Sequence, residues 1–476
     1  MSDAGSPPAP EPPAAEPPAP KLPESDFRAA RPVGTDPTVT APLPIQTIRP
    51  SFSTVFATFE SRNFRLLIIS LFANSLGSWM ARVAVDWLML ELTGNVALVG
   101  LAVAFQFAPQ LLLGIWAGLL ADRLPRRNVV LVTQSVTAFG FAVLGTLTIL
   151  GVVAVWHVLL VAAVIGVAGA LEGPARSSLT SQTVAAGRLP IAISISGITF
   201  HLGGLIGPAI SGGLIGFIGP GWCIAISSLG SLICVVGFAL MRSRELTPAP
   251  RSRPQRGQIR EGFRYVAGKP RILWPIVLIG FIATFGMTLP VLFTAAASER
   301  GYDTGSAGYG LLTALAAAGA FTGAILSTRR RSLRLRSLVL LAGLYGAAIV
   351  VAGGIPFYGA LLAGALGLGI FRLLFATGAE AMVQLSTNLG IRGRVVAIYL
   401  LVLIGGQALG GLLVGWVAET FGMMPAYLLA GGVPMVASLV VALILGKRNQ
   451  LRLRVNLFDV RRLIRIVPRE QIIVDR

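Results

Sequence analysis

The feature that most restricts this chain is a succession of about twelve apolar runs, each close to the roughly 20 residues a helix needs to cross a hydrocarbon core. They fall at residues 64–90, 96–119, 128–150, 156–175, 191–217, 221–241, 272–296, 307–327, 337–353, 356–384, 395–417 and 424–446. Backbone N–H and C=O groups find no water inside lipid, so runs of this kind fold as helices. The expected fold is an all-α membrane protein with about twelve transmembrane helices. Charged residues supply only 12% of the 476, about half the share of a soluble domain, as a lipid-facing chain requires.

The net charge is +19. An excess of that size suits nucleic acid, but here the arginines occupy short loops between apolar runs, so no nucleic-acid partner is expected. Alternate loops collect them. One side takes Arg123, Arg126 and Arg127, then Arg176 and Arg188, the stretch Arg242–Arg271, Arg329–Arg331 with Arg334 and Arg336, Arg392 and Arg394, and the tail from Lys447. The other side carries Arg300 and mainly Glu91, Glu299, Asp303 and Glu419. The positive-inside rule places both termini in the cytoplasm; the expected location is the cytoplasmic (inner) membrane of a bacterium.

The longest internal loop follows the sixth run and divides the chain. The expected organisation is a Pro/Ala-rich disordered tail (1–60), a six-helix bundle (61–241), a basic linker (242–271), a second six-helix bundle (272–446) and a basic tail (447–476). Alternating Leu451-Arg452-Leu453-Arg454 suits either the anionic lipid surface or solvent. A weak echo relates the halves: Ala192-Ile193 and His201-Leu202-Gly203-Gly204 in run five, Ala397-Ile398 and Gln407-Ala408-Leu409-Gly410-Gly411 in run eleven. Thr328-Arg329-Arg330-Arg331 echoes the charged hairpin after run two. Paired repeats with a path between them are a recurring transporter plan.

That hairpin reads Gly118-Leu119-Leu120-Ala121-Asp122-Arg123-Leu124-Pro125-Arg126-Arg127. It resembles the Gly-x-Leu-Ala-Asp-Arg-x-Gly-Arg-Arg signature of the major facilitator superfamily, with Pro125 in place of the second Gly. Asn63-Phe64-Arg65, Trp79-Met80, Asp86-Trp87, Leu90-Glu91-Leu92-Thr93-Gly94 and Glu172-Gly173-Pro174-Ala175-Arg176 resemble its enterobactin-exporter-like branch. The resemblance covers roughly residues 60–446 and implies the major facilitator fold, two pseudo-symmetric six-helix halves. It also implies that Gly118, Asp122, Arg123, Arg126 and Arg127 form a conformational gate with Asp122 central. Physically, arginines there can reach helix C-termini, whose partial negative charge attracts cations; a basic loop that only sets topology is the alternative.

Ionisable groups inside the membrane are costly and so are candidates for coupling or substrate binding. Arg82 and Asp86, one turn apart on one face, suit a proton-linked or substrate-contacting pair, or a static ion pair with Arg82 snorkelling outward. Arg372 needs an anionic ligand or a partner such as Glu172 or Glu380. His201, Gln106 and Gln407 fall near the midplane of their runs, where His201 suits a proton relay or an interhelical hydrogen bond. Gly207, Pro208, Gly212 and Gly213 resemble the helix-bending Gly-Pro-x-x-Gly-Gly signature of drug:proton antiporters, or serve close helix packing. No phosphate-binding loop, metal cluster or nucleophile triad is present, and Cys223 and Cys234 sit in apolar runs. The chain is therefore expected to be no enzyme and to need no cofactor or metal. The expected function is proton-coupled export of an amphipathic small molecule, a siderophore-like metabolite or drug, by a monomer in the bilayer. Import by the same fold and a non-transporting scaffold are the alternatives.

Overall fold

A computed structural model of the chain describes residues 56, 58–185, 188–242, 245, 258–299, 305–328, 334–355, 357–388, 391–448, 451–455 and 464–468. Nearly all of the tail at 1–60 and most of the long basic loop lie outside them.

The first half is built from α1 (Arg62–Thr93), α2 (Val96–Arg123), α3 (Arg126–Ile149), α4 (Val155–Gln182) and α5 (Leu189–Ala239). Ser61 caps α1 by accepting from the Phe64 N–H, and Gly94 ends it in the left-handed conformation at φ 61°, which lacks the steric penalty of a Cβ. α5 leaves helical geometry at Gly219 (φ 82°, ψ 167°), just before Pro220. It therefore makes two passes, the fifth and sixth runs of the sequence.

In the second half a short helix, α6 (Gln258–Gly268), precedes α7 (Pro270–Phe281), a π-helical turn at Ile282–Gly286, and α8 (Leu289–Glu299). There follow α9 (Gly305–Thr328), α10 (Leu335–Gly354), α11 (Tyr358–Leu385), α12 (Arg392–Phe421) and α13 (Met423–Arg448). Eleven described helical segments are long and apolar enough to span a membrane, and the turn in α5 brings the passes into agreement with the apolar runs. The fold is that of an all-α membrane protein. Beyond the spans, β1 (Leu451–Val455) and β2 (Ile464–Pro468) pair antiparallel with Leu453 opposite Ile466. The Leu-Arg alternation read as a surface tail has the two-residue period of a strand.

α6 lies inside the stretch read as a linker and belongs with the second half. Glu261 pairs with Arg394 of α12, and the Tyr265 hydroxyl accepts from the Asn388 N–H at 3.1 Å and from Lys269 at 2.7 Å.

The echo between halves is real, in a register one helical turn from that read in the sequence. Gly203 and Gly207 of α5 receive the backbone of Leu76 in α1; Gly406 and Gly410 of α12 receive that of Thr284 in the π turn. Gly203 thus corresponds to Gly406, and not to Gly410. The π turn frees the Gly286 carbonyl, which accepts from the buried Tyr345 hydroxyl at 2.6 Å.

The halves meet along α2 with α12 and α5 with α9. Both seams close on glycine at the end away from the basic loops, called here the far end. A Cβ on Gly212 would lie 2.3 Å from the Gly310 Cα, and one on Gly100 would lie 2.0 Å from the Gly411 carbonyl oxygen. Glu419 at the end of α12 accepts from the Val96 N–H at 2.9 Å, capping α2 of the other half, where the helix dipole favours a carboxylate. A single apolar core, including Leu88, Val99, Tyr309 and Val414, runs through both halves there. At the basic end the first half keeps a separate cluster of Phe64, Leu67, Val130, Leu179 and Phe238. The apolar core thus joins the two halves at the far end, while the first half keeps its own cluster at the basic end.

Gly310→Val should force the α5–α9 seam apart, since overpacking costs about 1–3 kcal/mol. Spin labels at the exposed Ile218 and Leu311 should move to longer separations by pulsed electron resonance; an unchanged distribution would remove the seam from the gate.

Candidate functional site

The site follows from where α1 crosses between the halves. Side chains on a helix lean toward its N-terminus, so Arg82 turns back to the Trp79 level. Its guanidinium carbon lies 4.7 Å from the Trp79 ring centroid and 5.0 Å from that of Phe107 on α2. This overturns outward snorkelling of Arg82. Asp86 lies within electrostatic reach of it, but the two form no ion pair within 4.0 Å among the described residues. Arg82 is half-buried and Asp86 is buried.

Asp86 faces across the seam. The Tyr309 ring of α9 stacks on Trp87, centroids 5.6 Å apart, with its hydroxyl beside the Asp86 carboxyl. The pair stops short of full hydrogen-bond geometry: the hydroxyl, Asp86 Oδ2 and Arg82 Nε are all buried without a bonded partner. Gln106 joins Arg82 and Asp86 around a small cavity closed by Phe141, Leu144 and Val158.

From the second half, Arg372 of α11 is half-buried and interacts electrostatically with both Arg82 and Tyr345. At about 1.5 Å per residue, Arg82 and Arg372 lie about 16 and 21 Å from the far ends of their helices. They are at similar depth on opposite halves. Neither carboxylate suggested as a partner for Arg372 reaches it. Glu172 is buried, accepts from Gln134 at 2.6 Å and pairs with Arg176 at 3.1 Å. Glu380 is exposed and accepts from Gln384 at 3.0 Å. Each is satisfied within its own half by a side chain one turn away or on an adjacent helix.

The remaining candidates are dispersed. Gln407 donates to the Leu403 carbonyl within its own helix. His201 lies on α5, its side chain outside the described residues. Gly207 backs onto Trp79 and Leu76, Gly212 onto Gly310, and Gly213 faces open space. α5 passes Pro208 with helical dihedrals and departs from them only at Gly219, so Gly207 and Gly212 act here through close approach.

Of the hairpin, Gly118, Asp122 and Arg123 occupy the last turns of α2, with their surroundings outside the described residues. Pro125 fits as the N-cap of α3 at φ −59°, its carbonyl accepting from Asn128 and Val129. Arg127 binds the end of α5, donating to the Phe238 and Ala239 carbonyls at 2.7 and 2.6 Å. Arg126 is half-buried, with no ion-pair partner among the described residues. The helix-end contact expected of Arg123 or Arg126 thus falls to Arg127 among the described side chains.

Comparison with known proteins places this geometry. Residues 53–456 match the family model described as transmembrane secretion effector. The chain belongs to that family, and is a multi-pass transporter of the major facilitator type. It is 25% identical over 394 residues to the enterobactin exporter of Citrobacter koseri, covering 82% of this chain and 93% of that one. The enterobactin exporter of Salmonella typhimurium is 24% identical over 392 residues, with coverage of 82% and 94%. In fold the transporter is similar to a POT family transporter solved with a thioalcohol-conjugated peptide, with TM-score 0.65, 13% identity and coverage of 81% and 96%.

Sequence reasoning missed Trp79 and Phe107 as the rings that hold the transporter's Arg82, Tyr309 as the residue facing Asp86, and Glu419 as a clasp between halves. The signal for Tyr309 was its setting, Gly308-Tyr309-Gly310 at the far-end start of run eight. Arg127→Ala should lower stability by about 1.5–3 kcal/mol, the range for hydrogen bonds to a charged group. Thermal unfolding of the transporter in detergent reads this, and Arg126→Ala should shift the midpoint by less than half as much.

Proposed function

We propose that this transporter is a proton-coupled exporter of an amphipathic small molecule, siderophore-like or drug-like, in the cytoplasmic membrane of a bacterium. The observation that carries the reading is the one-sided seal: a shared apolar core and two glycine seams at the far end, and separate cores at the basic end. With the arginine-rich loops in the cytoplasm, the closed seams lie at the outer end, the arrangement in which an exporter would load from the cell interior. Exchange of the seal between ends by rocking of the halves completes the cycle. The likeness to enterobactin exporters and the Gly207–Gly213 run favour export over import.

No nucleotide-binding loop supplies energy, so an ion gradient drives the cycle, with protons entering as cargo leaves. Asp122 and the hairpin arginines act as the latch at the cytoplasmic end, engaged when that end closes. Each monomer carries its own path.

Everted membrane vesicles test this with tritiated enterobactin and a panel of amphipathic dyes. Energised vesicles should accumulate at least one probe, and an uncoupler should abolish accumulation. Uptake indifferent to the uncoupler would remove proton coupling. Asp122→Asn should slow accumulation severalfold at unchanged membrane abundance; a normal rate would remove the latch role.

A further inference from the structure

We propose that the cavity between α1, α2, α3 and α4 is a binding site for a single water molecule, which bridges Arg82, Asp86 and Gln106 in place of a direct ion pair.

The room comes from small residues. Ala81 of α1, Ala102 of α2 and Ala162 of α4 line the cavity, and Phe141 and Leu144 of α3 close it. Its volume is about 10 Å³, at the lower bound of the roughly 10–15 Å³ that one water requires. An organic ligand or a hydrated ion does not fit. A purely apolar cavity stays dry, so the polar groups on the wall decide the occupant.

Those groups are a donor and an acceptor left unmatched. Arg82 Nε and Asp86 Oδ2 are both buried, and neither has a hydrogen-bond partner among the described residues. Opposite charges one turn apart on a helix face ordinarily close on each other. Here they form no ion pair within 4.0 Å. The aromatic rings account for this. Trp79 and Phe107 hold the guanidinium carbon at 4.7 and 5.0 Å, which turns Arg82 toward the N-terminal side of α1 and away from Asp86. Leaving both groups unbonded inside a bilayer carries the full desolvation penalty of each.

One water removes both defects. Its oxygen accepts from the Arg82 Nε–H, and one of its O–H groups donates to Asp86 Oδ2. Buried waters make about three hydrogen bonds, and Gln106 supplies the third. It is half-buried on α2 and lines the same cavity, with a side-chain amide able to donate or accept. Gln106 is therefore a positioning residue: through the water it ties α2 to the charged turn of α1. The site stands on packing and hydrogen bonding within the first half, apart from the transport reading.

X-ray radiolytic labelling of the full-length protein in nanodiscs tests this, because hydroxyl radicals formed from a bound water oxidise the side chains it touches. Phe141 and Leu144 are buried and should nonetheless be oxidised. Phe238 and Leu179, equally buried in the basic-end cluster, should stay unmodified. Ala162→Val fills the space and should abolish labelling at Phe141 and Leu144. Gln106→Leu should lower the thermal unfolding midpoint in the wild-type background and leave it unchanged in the Ala162→Val background, where the water it holds is already gone. A merely structural contact of Gln106 would instead give additive shifts. Labelling of Phe141 and Leu144 no stronger than that of Phe238 and Leu179, or labelling that survives Ala162→Val, overturns the water site. Additive shifts, or no shift from Gln106→Leu in the wild type, overturn the bridge. Should Ala162→Val fail to fold, the comparison of Phe141 with Phe238 in the wild-type protein still decides.

Discussion

Two helices inside a bilayer gain little from hiding apolar surface against one another, because lipid tails are equally apolar. What holds them is close van der Waals approach, small residues and a few hydrogen bonds. This structure depends on that constraint at two symmetry-related seams. Gly100 meets Gly411 where α2 crosses α12, and Gly212 meets Gly310 where α5 crosses α9. No side chain fits between the backbones at either place. Contacts of this kind are individually weak and cease within a small radial displacement. They form a seal that is tight when closed and inexpensive to open, which a transporter must have at each end in turn. Glu419 adds one directional hydrogen bond to the α2 N-terminus, and Trp87 on Tyr309 adds a stacked pair.

The same small residues organise each half. Leu76 of α1 enters the Gly203–Gly207 groove of α5 as Thr284 enters the Gly406–Gly410 groove of α12, so both halves seat their first pass on their fifth by the same device. The second half departs from the first by inserting a π turn at this contact, and the carbonyl at the end of that turn is taken by Tyr345 from a third helix. Repeat symmetry thus survives in backbone packing after most side-chain identity has been lost.

The spans were legible because hydrophobic length is a local property, and the two halves because the longest internal loop follows the sixth run. The register of the repeat was not legible: glycine is frequent in these helices, and only the neighbour seated on each glycine separates Gly406 from Gly410 as the counterpart of Gly203. The turn in α5 was legible as two runs, while Gly219 carries its positive φ through a junction short enough to read as one helix. For the site, Arg82, Asp86 and Arg372 stood out by the rarity of charge in lipid. Their mutual arrangement did not, since side-chain lean and cross-helix neighbours have no linear signature. Glu172 and Glu380 illustrate the converse, conspicuous in sequence and paired with Arg176 and Gln384 in space. Pro125, standing where the signature has Gly, serves as a helix cap, because a two-residue connection into α3 at φ −59° calls for no left-handed residue.

The mid-depth cluster and the far-end seal share one helix, and that is the basis for coupling them. Arg82 and Asp86 are a single turn apart on α1; Arg82 is held by the Trp79 and Phe107 rings, and Asp86 lies beside Tyr309 at the seam. In the structure Asp86 divides its field between the guanidinium and the seam, and its Oδ2 completes no hydrogen bond with either. A buried carboxylate beside an unbonded hydroxyl is a polar contact left incomplete, which is costly in low dielectric and which a small movement of α1 against α9 would make or break.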